Sequence, residues 1–201
     1  GAAGAERGAS LDFVNYPLNN RWWLEDEFKK VAEMKSEEEK VARLHTIATW
    51  ETPGPGSYYD DIGNIAKMPH VQREQSLATD PIGQNAPYPT WWWLDDGLSR
   101  LRLSWQVTMD YPDAVVYAGV DPNATYKVRL TGYGQMLLRI DGERVQGDRA
   151  KIEHGDFVEF NVPAKALEDR RIELTWDRPT DEAHLNWRKQ SRLAEAWLLK
   201  Q

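Results

Sequence analysis

The second half of the sequence alternates apolar and polar side chains with a period of two, and this pattern constrains the fold more than any other feature. In "TYKVRLTGY", Tyr126, Val128 and Leu130 alternate with polar or charged residues, and "DFVEFNV" and "RIELTW" repeat the pattern. Such alternation is typical of half-buried strands. The pair Asp141-Gly142 between two strand-like runs indicates a two-residue hairpin. Short strands separated by turn residues predict a mainly β protein, an antiparallel jelly-roll β-sandwich.

The last apolar segment, "RLAEAWLLK", fits either a helix or a strand by its composition alone. We predict a strand, because the residues before it offer no good helix cap and the sheet needs a closing element.

Residues 17–50 have helical periodicity instead and predict a helical hairpin. Asn19 or Asn20 can cap the first helix, and Ser36 with Glu39 forms a capping box that starts the second. The apolar stripes expected to be buried are Leu24, Phe28 and Val31 in the first helix and Val41, Leu44, Ile47 and Ala48 in the second. We therefore divide the chain into residues 1–52, a helical hairpin with its linker, and residues 53–201, the β-sandwich domain with its Pro-Gly-rich "YDDIG" loop.

Charge and composition exclude several classes of function. The net charge is −7 and no basic face is evident, which argues against nucleic acid as a partner because such binders depend on clustered Lys and Arg. No apolar run approaches the ~20 residues of a membrane span. The chain has no cysteine, so disulfides and thiol catalysis are excluded. The opening "GAAGAERGAS" has no signal-peptide pattern and is typical of the interior of a longer chain.

Ten tryptophans are present, and such an excess suggests large flat contacts, either with sugar rings or with other domains. The competing interpretation is that most of these indoles pack in the core or between parts of the chain.

The order of the strand segments carries a family resemblance. The segments "VDPNATYKVRLTGYG", "RIDGERV", "VEFNVPAKAL", "RRIELTW" and "LAEAWLLK" together resemble the galactose-binding-like β-sandwich, the fold of many carbohydrate-binding modules. The stretch "RGASLDFVNYPLNNRWWLEDEF" with the later "PGPGSYYDDIGN" is similar to the C-terminal region of large, poorly characterised exported bacterial proteins linked to polysaccharide breakdown. The resemblance implies a carbohydrate-binding accessory module located outside the cytoplasm, in the periplasm or the extracellular space. Residues 180–192 depart from it, because they are polar where a glycine-rich loop is expected.

The loop "ETPGPGSYYDDIGN" combines aromatic rings with adjacent carboxylates. Asp60, Asp61 and Asn64 could supply oxygen ligands to a structural calcium ion, which takes six to eight oxygens. Alternatively, one Asp caps local N–H groups and the other pairs with an Arg. Of the two rings, Tyr58 and Tyr59, one could form a sugar platform while the other fills the core.

The remaining candidate ligand contacts lie in two segments. A sugar site needs an indole face to stack on the ring and polar groups to bind its hydroxyls, and the residues proposed for these roles are Trp91, Trp92, Trp93, Asp95, Asn186, Trp187 and Arg188. The alternative is that the indoles fill the core and cover the helical hairpin.

No catalytic motif is present. The four histidines show no metal-binding spacing, and no nucleophile-elbow, phosphate-loop or dinucleotide pattern occurs. Adjacent acids such as Asp60 and Asp61 usually point apart, whereas glycosidase acids face one another across a cleft. The sequence thus predicts a non-catalytic carbohydrate-binding module of a larger polysaccharide-processing protein, whose partners are a glycan and an upstream domain. The alternatives are a purely structural interdomain module and an enzyme with the acidic loop as its active site.

Overall fold

The computed structural model describes residue 21 and residues 23–62, 67–72, 114–145, 150–152, 157–176 and 192–201. Over these residues the protein is mainly β, with two antiparallel sheets and two helices. The mainly β class predicted from the alternating pattern is therefore confirmed.

Both α-helices precede all of the described strands in the chain. Helix α1 covers residues 23–33 and helix α2 covers Glu37–Ala48, and a short 3-10 helix covers Ala164–Leu167. The strands are β1 (Tyr58–Asp61), β2 (Val71–Gln72), β3 (Ala114–Ala118), β4 (Tyr126–Met136), β5 (Leu138–Ile140), β6 (Glu143–Arg144), β7 (Ala150–Ile152), β8 (Phe157–Asn161), β9 (Arg171–Trp176) and β10 (Arg192–Lys200). Among the described residues, no helix is long and apolar enough to cross a membrane.

Each sheet contains five of these strands. In the first sheet β10 lies between β1 and β4, and β7 and β8 both pair with β4. The second sheet has the order β2-β3-β9-β5-β6. The predicted hairpin is confirmed: β5 and β6 pair across Asp141 and Gly142, which have φ angles of 49° and 79°. Positive φ at both central residues matches the turn that an Asp-Gly pair favours.

One hydrophobic core draws side chains from both sheets. Val128, Leu130 and Leu198 come from the first sheet, and Ile172 and Leu174 come from the second. Every second residue of β9 is buried, in agreement with the alternation in "RIELTW". The period of two therefore places one face of each of these strands in a common interior.

The closing segment is a strand, as predicted. Strand β10 pairs with β1 on one side and with β4 on the other, and its register with β4 shifts between Leu193 and Glu195. This irregularity places Leu193 in the shared core, while Ala194 packs in a second cluster on the opposite face. A bulge that redirects a side chain in this way is a common feature of sheets.

The start of α2 is confirmed but the buried stripes predicted for the helices are partly wrong. The Ser36 side chain accepts a hydrogen bond from the Glu39 N–H, as a capping box requires. In α1 the buried residues are Trp23, Glu27 and Val31.

The remaining stripe residues are more exposed than predicted. Phe28 is 51% exposed, Val41 and Leu44 are also exposed, and none of the residues of α2 is fully buried. Apolar spacing alone could not locate the buried face, because that face includes a glutamate and because α2 meets the sheet at its C-terminal end, where Ile47 packs.

Glu27 is buried on the inner face of α1 because two cations neutralise it. Its carboxylate forms ion pairs with Lys30 of the same helix and with Arg43 of α2. A buried charge without such partners would cost several kcal/mol, so this pairing fixes how the two helices meet.

Two substitutions test which face of α1 is buried. Val31→Ala should lower the free energy of unfolding by about 1–2 kcal/mol because two buried methyl groups are removed. Phe28→Ala removes a larger side chain but should change that free energy by less than about 0.5 kcal/mol because the ring is half in solvent. Urea denaturation of both variants measures the difference, and a larger loss for Phe28→Ala would contradict this packing.

Candidate functional site

Residues 58–61, predicted as part of a loop, form strand β1 at the edge of the first sheet. All four residues pair with β10, from Tyr58 opposite Leu198 to Asp61 opposite Glu195. Sequence analysis missed this strand because two tyrosines and two aspartates lack apolar alternation. Its partner β10 lies more than a hundred residues further along the chain.

One face of β1 contacts the second sheet. The Tyr58 hydroxyl donates a hydrogen bond to the Ala118 carbonyl (2.9 Å) at the end of β3. The Asp60 carboxylate, which is 0% exposed, accepts from the backbone N–H of His70 (3.0 Å) and lies 3.0 Å from Nδ1 of the same residue. The rings of Tyr58, His70 and Tyr117 pack against one another, with centroid distances of 5.0–5.3 Å between each pair. Tyr58, Asp60, His70 and Tyr117 are called the Asp60 cluster below.

Within the Asp60 cluster, the carboxylate holds the imidazole in one orientation. Because a carboxylate is an acceptor, the pair is satisfied when His70 donates from Nδ1. Burial, and secondly the charge of Asp60, raise the pKa of the Tyr117 hydroxyl well above its ordinary value. The cluster joins the edge strand of one sheet to the segment that enters the other.

The opposite face of β1 contacts the residues beneath the helices. The Tyr59 hydroxyl donates to Glu195 Oε1 (2.6 Å), and the Trp50 indole N–H donates to the same oxygen (2.9 Å). The Thr131 hydroxyl donates to Oε2 of Glu195 (3.4 Å). Glu195 is 0% exposed, so these three donors replace the water that a carboxylate requires.

Three indoles pack together, one of them bonded to this carboxylate, and attach the helices to the first sheet. Trp23, Trp50 and Trp197 are all nearly fully buried and form one cluster with Ala194. Trp50 packs edge-on against the other two indoles at centroid distances of 5.0 and 5.6 Å. The Trp197 indole N–H donates to the Trp50 carbonyl (2.8 Å). We call these three indoles, with Tyr59 and Glu195, the indole–carboxylate cluster.

A groove of about 160 Å³ opens where the end of α2 meets the first sheet. Its lining residues are His45, Thr46, Thr49, Trp50, Pro53, Arg129, Trp197 and Leu199. The two indoles belong to the indole–carboxylate cluster and are buried, so they form the floor. The hydroxyls, the imidazole and the guanidinium form the polar part of the lining.

The structure brings together only some of the predicted site residues. Tyr58 and Asp60 share one face of β1, and Tyr59 lies on the other. The other predicted ligand contacts lie outside the described residues and stay predictions: Trp91, Trp92, Trp93, Asp95, Asn186, Trp187 and Arg188.

The predicted calcium site stays a prediction as well. Asn64 lies outside the described residues, and Asp61 is buried. The partners that surround Asp60 are a backbone N–H and an imidazole, which a cation would have to displace. The part of the chain that the structure describes contains no group of three His, Cys, Asp or Glu side chains able to hold a metal.

Several residues of the site escaped sequence analysis. The sequence pattern singles out neither His70 nor the groove residues Arg129 and His45. Glu195 carried one usable signal, because it is the only acid within the apolar run "RLAEAWLLK". A lone acid in a buried strand usually has specific partners.

Comparison with models of protein families, with curated proteins and with solved structures finds no match.

Removing one donor from the indole–carboxylate cluster should destabilise the protein. Tyr59→Phe leaves the ring in place but deprives the buried Glu195 of a hydrogen bond, which should cost about 1–3 kcal/mol of unfolding free energy. Tyr58→Phe is the matched control, because its hydroxyl bonds an exposed carbonyl and its loss should cost about 1 kcal/mol or less. Chemical denaturation measures both, and equal losses would contradict a special role for Glu195.

Ionisation of the Tyr117 hydroxyl should lower the free energy of unfolding at alkaline pH. Because its pKa is raised in the folded state, the unfolded chain releases the proton first, near the ordinary value of about 10. The stabilising contribution is therefore complete below about pH 10 and is lost as the pH rises through the folded pKa. Denaturation midpoints between about pH 9 and 11 should decline less steeply for Tyr117→Phe than for the parent chain. Parallel declines would show that Tyr117 does not titrate in this way.

Proposed function

We propose that the two sheets stack face to face as a β-sandwich of the galactose-binding-like, jelly-roll kind. Two observations support this proposal: the strands are antiparallel, and one core receives side chains from both sheets. A shared apolar interior between two sheets is what a sandwich requires.

On this fold the chain serves as a carbohydrate-binding accessory module of a larger polysaccharide-processing protein outside the cytoplasm. The observation that carries this proposal is the groove at the end of α2, which places hydroxyl, imidazole and guanidinium groups above a floor of buried indoles. Its volume is below the ~300 Å³ at which pockets for drug-sized ligands begin. The groove is therefore suited to one sugar ring or a chain end, with a modest affinity.

The module is proposed to be non-catalytic. The two acids that were the candidates for glycoside hydrolysis, Asp60 and Asp61, are both buried, at 0% and 2% exposure. A general acid or base must come within hydrogen-bond reach of its substrate, which supports a structural use of both carboxylates.

The second candidate function is a structural interdomain module without a ligand of its own. It is favoured by the indole–carboxylate cluster, which uses three of the four described tryptophans for internal packing, while Trp176 packs in the core shared by the two sheets. The exposed apolar residues Phe28, Val41 and Leu44 would then contact an upstream domain of the same protein.

Affinity electrophoresis in gels that contain plant, algal or host polysaccharides tests the first candidate. We expect at least one polysaccharide to retard the chain, with a weak dissociation constant because a single exposed sugar site gains little after the cost of ordering. Thr46→Phe should abolish the retardation by filling the groove. Thr125→Phe is the matched control, since Thr125 is an exposed threonine outside the groove lining.

The outcomes separate the two candidates. Retardation that survives Thr46→Phe but is lost in Trp92→Ala or Trp93→Ala would move the site to the predicted aromatic run. Migration unchanged by every polysaccharide would reject carbohydrate binding and favour the structural module.

A further inference from the structure

We propose that the groove at the end of α2 selects a sugar that carries a carboxylate, a uronate, with Arg129 as its anion-binding residue. This inference rests on the proposed carbohydrate function and narrows its ligand class. It follows from the charges, the hydrogen-bonding capacity and the shape of the groove lining.

The charge of the lining differs from that of the chain as a whole. Acidic residues outnumber basic ones by 32 to 25 in the sequence, yet among the described residues the groove lining has a guanidinium and an imidazole and no carboxylate. An acid-free lining in an acidic chain favours an anionic ligand over a cationic one, because like charges are kept away from the ligand.

The ion-paired group that contains Arg129 has a net positive charge beside the groove. Its Nε donates to Glu159 Oε1 (2.8 Å), and Lys127 of the same strand pairs with the other oxygen of that carboxylate (3.4 Å). Two cations therefore share one anion. Burial raises the pKa of Glu159, but the hydrogen bonds and charges of Arg129 and Lys127 outweigh burial and lower it.

The same contacts hold the guanidinium in place. Arg129 lies over the Phe157 ring, with its central carbon 4.8 Å from the ring centroid, in addition to its bond with Glu159. An arginine that is fixed by stacking and by an ion pair loses little conformational entropy when it binds a carboxylate.

The hydroxyls of the lining suit a polyhydroxylated ring. Thr46 donates its proton to the Ala42 carbonyl (3.0 Å) and Thr49 donates to the His45 carbonyl (2.8 Å). Their oxygens therefore remain as acceptors for sugar hydroxyls, since a hydroxyl that donates once can still accept.

The floor of the groove presents no competing hydrogen-bond donors. The indole N–H of Trp50 is bonded to Glu195 and that of Trp197 is bonded to the Trp50 carbonyl. Both indoles are nearly fully buried, so the hydroxyls and the guanidinium of the lining, rather than an aromatic face, contact the sugar ring and its carboxylate.

Titration calorimetry with the complete chain and four probes tests the inference: glucuronate, glucose, acetate and inorganic phosphate. We expect glucuronate to bind at least about tenfold more tightly than each of the other three, because only it offers both a ring and a carboxylate. Arg129→Met should reduce glucuronate affinity about tenfold, to that of glucose. Lys127→Met removes the same charge from the same strand and the same ion-pair partner but lies outside the groove lining, so it should change affinity by less than about threefold.

Arg129→Lys provides a second variant that retains the charge and the pairing with Glu159. It should bind glucuronate more weakly than the parent, because a lysine cannot make a two-pronged contact with a carboxylate. Circular dichroism of each variant confirms that the fold is retained.

Each other result overturns the inference in a distinguishable way. Equal affinities for glucose and glucuronate would reject the carboxylate preference and keep the carbohydrate function. If acetate or phosphate bound as tightly as glucuronate, the groove would be an anion site that does not select a sugar. If no probe binds but a polysaccharide retards the chain, the uronate inference fails alone, and if nothing binds in either assay both proposals fail.

Discussion

Strand β1 is the element on which the rest of the described structure depends, because its two faces serve different parts of the protein. Tyr58 and Asp60 contact residues of the second sheet, whereas Tyr59 contacts Glu195 beneath the helices. The backbone of β1 pairs with β10 at the same time. A side-chain period of two makes this double use possible, and a shift of one residue in register would exchange the two faces.

Three of the four buried carboxylates among the described residues give this arrangement its specificity. Glu27 binds two cations between the helices, Asp60 binds His70 between the sheets, and Glu195 accepts three neutral donors between helix and sheet. Burial of a carboxylate is unfavourable unless its oxygens are satisfied. Each of these residues therefore stabilises one arrangement of its neighbours and destabilises the alternatives. Apolar packing alone would discriminate less between these arrangements.

Local periodicity explains which parts of the fold could be predicted from the sequence. The alternation in β4 and β9, the Asp-Gly hairpin and the capping box at Ser36 are local signals, and the structure agrees with them. The edge strand β1 and the buried face of α1 were not predicted, because both depend on partners distant in sequence. Arg43 is 16 residues from Glu27, and Glu195 is 136 residues from Tyr59. The groove could not be predicted for the same reason, since its lining combines α2 with β4 and β10.

The origin of the groove links the two candidate functions. Thr46 and Thr49 belong to the end of the helical hairpin, while Arg129 and Leu199 belong to the first sheet, so the groove exists only when the hairpin is docked. A ligand that bound there would stabilise the docked state by mass action. The exposed side chains of Phe28 and Leu44 lie on the same hairpin, so an upstream domain that contacted them would act on the element that forms one wall of the groove. Ligand binding and interdomain contact would then be energetically coupled through the hairpin, and by linkage each would strengthen or weaken the other by the same factor.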